Sequence, residues 1–69
     1  MHIVKQNDVE KPVCSGSEQE CKNYLIVKAR VFAGTDQVLY EKYLNSIVDD
    51  GVLETEKPFR NFKIIKHGK

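Results

Sequence analysis

Within residues 23–33, every second residue from Leu25 to Ala33 is apolar, and this is the clearest pattern in the chain. One set of positions is wholly apolar: Leu25, Val27, Ala29, Val31 and Ala33. The other set mixes large apolar or aromatic groups with two cations: Tyr24, Ile26, Lys28, Arg30 and Phe32. Because successive side chains of a strand point to opposite faces, the pattern predicts a long strand whose first set lies in the core.

A helical period follows this segment, over residues 37–50. At about 100° per residue, the apolar positions fall on one stripe. The stripe contains Tyr40, Tyr43, Leu44, Ile47 and Val48, with Leu39 at its margin. Thr35 is expected to cap the first turn with Asp36 inside it, and Gly51 suits the left-handed residue that ends a helix.

Shorter apolar segments lie near both ends of the chain. Residues 2–6 are expected to form a first strand, and the polar residues 7–22 a long mobile loop. Residues 52–56 are compatible with a loop or an edge strand, and residues 59–66 are typical of a final strand. In that last segment Phe62 and Ile64 share one side while Phe59 and Ile65 share the other, as in a strand with contacts on both faces.

Together these segments predict one small α+β domain covering residues 1–69. The expected architecture has two layers: a three-stranded or four-stranded, mostly antiparallel sheet packed by one helix. The expected order of elements is strand, loop, strand, helix, strand. A chain of this length buries a small core, so a second copy or another partner would add useful burial.

Charge is balanced overall but unevenly distributed. Eleven Lys and Arg residues oppose ten Asp and Glu residues. Residues 35–57 carry two lysines and six acids, a net charge of 2 − 6 = −4, whereas residues 58–69 carry four basic residues and no acid. We expect the basic tail to lie near the acidic helix end. No apolar segment approaches the ~20 residues that span a bilayer, and no secretory signal is evident, so we expect a cytoplasmic protein without a membrane partner.

Cys14 and Cys21 bracket a polar segment of six residues. In an oxidising compartment a disulfide between them would close an eight-residue loop, whereas in the cytosol both would remain thiols. Their spacing does not match zinc knuckles, and His2 and His67 lie at opposite ends of the chain. We therefore expect no metal site and no cofactor.

The sequence contains no convincing group of catalytic residues, so we expect a protein that is not an enzyme. One helix would leave the second sheet face without a cover, and that face would carry the mixed set defined above. We therefore expect Tyr24, Ile26, Lys28, Arg30 and Phe32 to bind a protein partner or to form a homodimer. A small inhibitor or regulator of a larger protein, of the type carried by phages or mobile elements, fits this description.

Nucleic-acid binding is the alternative function. The same sheet face would combine stacking rings with cations, and Arg60, Lys63 and Lys66 would add phosphate contacts. The near-neutral net charge and the absence of a glycine-rich aromatic motif make this alternative the weaker of the two.

Overall fold

The computed structural model describes residues 1–7, 9–55 and 61–66. In this part of the chain, four strands and two helices follow one another. The strands are β1 (His2–Gln6), β2 (Cys14–Gly16), β3 (Val52–Leu53) and β4 (Phe62–Lys66). The helices are α1 (Glu18–Ala33) and α2 (Gln37–Asp50), both inserted between β2 and β3. The small α+β class is therefore confirmed.

The strands form one antiparallel sheet in the order β2-β1-β4-β3. β1 pairs with β2 through His2 and Gly16 at one end, and with β4 through Gln6 and Phe62 at the other. β3 adds a short edge strand in which Leu53 pairs with Phe62. The first strand has the predicted bounds, and of the two alternatives for residues 52–56 the edge strand is formed, at Val52–Leu53.

The predicted strand over residues 23–33 is wrong, because this segment belongs to α1. Ser17 begins the helix with a capping box: its hydroxyl accepts a hydrogen bond from the Glu20 N–H at 3.1 Å, and its own N–H donates to the Glu20 carboxylate at 3.2 Å. The buried residues of α1 are Cys21, Leu25, Ala29 and Ala33. Their four-residue spacing matches a helix stripe, whereas Val27 and Val31 are 63% and 68% exposed.

The segment 7–22, expected to be a single loop, thus contains β2 and the first residues of α1. α2 has the predicted bounds, although Asp36, not Thr35, is its N-cap and accepts from the Leu39 N–H at 3.0 Å. Gly51 ends α2 in the left-handed conformation, as predicted. Its carbonyl accepts from the Ile64 N–H at 2.8 Å, so the end of α2 is tied directly to β4.

Both helices lie on the same face of the sheet and pack against each other. The core between the layers combines helix residues with alternate sheet residues. Its buried members are Val4, Cys21, Leu25, Ala29, Ala33, Tyr43, Ile47, Leu53 and Phe62. The domain therefore has two helices in its helical layer, not the single helix that the sequence predicted.

Candidate protein-binding surface

The two faces of the sheet differ because alternate residues of each strand point in opposite directions. Val4, Leu53 and Phe62 belong to the buried cluster, so their side defines the covered face, which contacts the helices. The opposite side carries the neighbours of these residues along each strand. We call this side the open face, and its residues are Ile3, Lys5, Ser15, Val52, Lys63 and Ile65.

Cross-strand pairing arranges the open face in two rows. Ile3 pairs with Ser15 on one side and with Ile65 on the other, which makes the first row mainly apolar. Lys63 pairs with both Lys5 and Val52 in the second row, which is mainly basic. Ile65 is 40% exposed, whereas Ile3 is buried, with 9% of its surface exposed. No helix of the described ranges packs on this face.

A shallow cleft of about 420 Å³ lies at the β3 end of the open face. Val52 and Ile65 supply apolar lining, and Lys5 and Lys63 lie beside them. Glu54 contributes one carboxylate to the same cleft. The cleft therefore combines an apolar lining with a small excess of positive charge.

The pairing of Lys5 with Lys63 is electrostatically unfavourable by itself, because like charges opposite each other on one sheet face repel. Lys5 Nζ donates to the carbonyl oxygen of Glu10. Neither ammonium group has a carboxylate within ion-pair distance among the residues that the structure describes. An anionic group from another molecule would reduce this repulsion.

The five residues predicted to bind a partner do not share one surface. Tyr24, Lys28 and Phe32 lie on one side of α1 because they are four residues apart. The Tyr24 and Phe32 rings contact Phe62 of β4, with ring centroids 6.3 and 6.1 Å away. Lys28 Nζ lies 5.5 Å from the centroid of the Tyr24 ring. Both aromatic rings are half-buried, so they complete the core more than they extend to solvent.

Ile26 and Arg30 lie on the other side of α1, which faces α2. The Arg30 guanidinium carbon is 3.6 Å from the centroid of the Tyr40 ring, a cation–π contact between the helices. Ile26 packs against the buried cluster. Four of the five predicted partner-binding residues are therefore half-buried against other parts of the fold, and only Arg30 is exposed.

The residues predicted to contact nucleic acid are also divided. Lys63 lies on the open face, whereas Lys66 pairs with His2 and lies on the covered side of β4. Arg60 lies outside the described residues. Lys66 lines a cleft of about 370 Å³ together with Asp49 and Asp50, so one residue of the basic tail lies near the acidic helix end, as predicted.

Cys14 and Cys21 are free thiols. Burial raises the pKa of the Cys21 thiol, and the nearby Cys14 raises it further. Burial also raises the pKa of the Tyr24 hydroxyl. The Cys21 thiol and the Tyr24 hydroxyl are therefore neutral at physiological pH, and neither supplies an anion for nucleophilic chemistry.

Across residues 1–7, 9–55 and 61–66, no group of three or more metal-binding side chains lies together. The helices in the same ranges are too short or too polar to cross a membrane. None of the protein-family models matches the sequence, and the searches of curated proteins and of solved structures gave no significant match.

Of the six open-face residues, reasoning from sequence named only Lys63 as a candidate contact and missed Ile3, Lys5, Ser15, Val52 and Ile65. One sequence signal pointed toward them. Ile64 and Ile65 are adjacent apolar residues in a strand, so at least one must lie on each face. That signal identified β4 as a strand with apolar groups on both sides, but it did not show which face the helices cover.

Proposed function

We propose that this chain is a non-enzymatic protein-interaction module that binds a partner protein through the open face of its sheet. The observation that carries the proposal is the apolar row beside the Lys5–Lys63 pair. The complementary partner surface is apolar at its centre and bears carboxylates that reach the two ammonium groups. A role as a small inhibitor or regulator of a larger protein is consistent with this mode of binding.

Charge favours such a partner over a second copy of the chain. In a two-fold homodimer through the open face, the Lys5–Lys63 pairs of both copies would approach each other. Four ammonium groups at one interface would repel unless other groups neutralised them. A separate acidic protein would not cause this repulsion. The experiment must therefore distinguish an acidic partner from a homodimer.

Nucleic acid is less well supported than an acidic protein. The aromatic rings that would stack on bases, Tyr24 and Phe32, pack against Phe62 on the covered side. The open face, as the structure describes it, therefore has cations but no aromatic ring on which a base could stack. We also place the protein in the cytoplasm, where cysteines are mostly thiols and disulfides are transient.

The proposal is tested by affinity capture from cells of the native host, compared across matched variants. Ile65→Asp alters the open face, and Val27→Asp makes the same kind of change at an exposed valine of α1. Lys5→Glu/Lys63→Glu reverses the basic row, with Lys42→Glu on α2 as its control. Circular dichroism first establishes that each variant is folded.

We expect a protein that the wild-type chain and both control variants capture equally. Affinity should fall at least about tenfold for Ile65→Asp and for the double charge reversal. Equal capture by every variant would contradict the proposal, as would a partner with a basic contact surface. Sedimentation would identify a homodimer if Ile65→Asp dissociated it. Oligonucleotide binding that weakens steeply with salt would instead support nucleic acid.

A further inference from the structure

Two thiols lie together where β2 meets the start of α1. Cys14 pairs with Val4 and therefore points to the covered face. Cys21 lies one turn after the Ser17 cap, fully buried, and belongs to the same core cluster as Val4. Cys14 packs against that cluster from the edge strand, and it is close enough to Cys21 to raise the pKa of the Cys21 thiol.

The turn between the two cysteines is well defined. Gly16 has a φ of 151°, within the region that side chains rarely adopt. The capping box between Ser17 and Glu20 then orients the first turn of α1. Because the strand and the helix are both hydrogen-bonded on either side of this turn, the backbone places Cys14 and Cys21 against the same buried cluster.

We propose that Cys14 and Cys21 form a redox-modification site, at which a small disulfide such as glutathione disulfide converts the two thiols into an intramolecular disulfide. The product links the edge strand β2 covalently to α1. This inference is independent of the partner surface, because both cysteines lie on the covered side of the sheet.

The reaction is a pair of thiol–disulfide exchanges. The Cys14 thiolate attacks one sulfur of glutathione disulfide, which breaks the S–S bond and releases one glutathione. Cys21 then loses its proton, and its sulfur attacks the Cys14 sulfur of the mixed disulfide. A second glutathione leaves. The two protein thiols lose two electrons and two protons, and the glutathione disulfide gains both.

The order of the two steps follows from exposure. Cys14 is half-buried at the sheet edge, whereas Cys21 has no exposed surface. Burial also keeps the pKa of Cys21 above its usual range, so its thiolate is scarce. Cys14 therefore reacts with the external disulfide, and Cys21 completes the bond from inside.

The test treats the full-length folded chain with glutathione disulfide and follows its intact mass. We expect the wild-type chain to lose two hydrogens and to retain no glutathione, with peptide mapping that links Cys14 to Cys21. Cys21→Ser should retain one glutathione on Cys14. Cys14→Ser should react at least roughly tenfold more slowly than Cys21→Ser.

Several outcomes would overturn the inference: a wild-type chain that retains glutathione, a disulfide between two chains, or equal reaction rates for the two single variants. If a serine variant fails to fold, iodoacetamide labelling of the reduced wild-type chain replaces it. The expected result is then alkylation of Cys14 before Cys21, and simultaneous alkylation would contradict the proposed order.

A second measurement compares the urea midpoint of oxidised and reduced wild-type chain. The midpoint should rise on oxidation, because the bond restricts the unfolded chain while the thiols are already adjacent in the fold. The Cys14→Ser/Cys21→Ser variant should show the same midpoint with and without reductant. A lower midpoint for the oxidised chain would show that the fold does not accommodate the bond.

Discussion

The two faces of the sheet are built from the same strands but perform different physical tasks. On the covered face, Val4 and Leu53 have no exposed surface and Phe62 has 4%. On the open face, Ile65 is 40% exposed and lies near two lysines. The helices cover the first face, whereas neither helix packs on the second among the residues that the structure describes.

This difference separates residues that determine stability from residues available for binding. Burial of apolar surface contributes roughly 25 cal/mol per Å², so the covered face accounts for most of the folding free energy available from the sheet. Open-face side chains gain less on folding and would gain more on contact with a partner. A substitution on the covered face should therefore reduce stability more than partner binding. A substitution on the open face should reduce partner binding more than stability.

The largest expected effect is that of Phe62→Ala. The substitution removes a buried ring that contacts Tyr24 and Phe32, so we expect unfolding to become easier by about 3–5 kcal/mol. Ile65→Ala, three residues along the same strand, should cost less than about 1 kcal/mol. Urea denaturation followed by circular dichroism measures both values. Equal losses would abolish the distinction between the two faces.

A smaller loss of stability is expected for a substitution at the N-terminus of α1. Ser17→Ala removes the hydroxyl that accepts from the Glu20 N–H and should destabilise the fold by about 1 kcal/mol. Ser15→Ala is the control, because this exposed serine lies on the open face of β2. Its expected effect is within about 0.5 kcal/mol. Thermal melts at one pH compare the two variants, and a harmless Ser17→Ala would argue against the capping box.

The smallest expected effect is a loss of stability at alkaline pH, originating from the covered side. Cys21 has a higher pKa in the folded chain than in the unfolded chain, because burial disfavours its thiolate. The unfolded state therefore loses this proton first. The stabilising contribution is complete below the unfolded pKa of about 8.5 and is lost as pH rises through the folded pKa.

Urea midpoints between neutral and alkaline pH, with reductant present, measure this dependence. Tyr24 should add a second decline at higher pH, since its pKa is also raised by burial. Cys21→Ala should flatten the first part of the decline and leave the second. A wild-type midpoint that rises over this range would contradict the assignment.

The contrast between α1 and α2 shows how much of the fold could be predicted. The bounds of α2 and its C-terminal Gly51 followed from a clear apolar stripe and a suitable terminating residue. For α1, Leu25, Ala29 and Ala33 are four residues apart, a spacing that satisfies both a strand face and a helix stripe. Val27 and Val31 completed an apparent strand pattern although they are exposed on the helix.

A helix signal was nevertheless present before that segment. Ser17 and Glu20 have the spacing of a capping box, and this motif, given more weight than the alternation, would have favoured a helix from residue 18 onward. The predicted partner-binding residues depended on the strand assignment. Once the segment is helical, those side chains lie on different sides of α1, and the candidate surface moves to Ile3, Lys5, Lys63 and Ile65.

The sequence by itself determined the elements that local chemistry specifies: the bounds of α2, its left-handed terminating glycine, the positions of β1 and β4 and the small α+β class. Local periodicity and turn chemistry act over a few residues, so they can be read along the chain. Tertiary structure alone decided the strand order β2-β1-β4-β3, the helical state of residues 23–33 and the identity of the open face. These three features depend on which apolar groups, distant in sequence, pack against one another. That packing is determined by the free energy of the whole core.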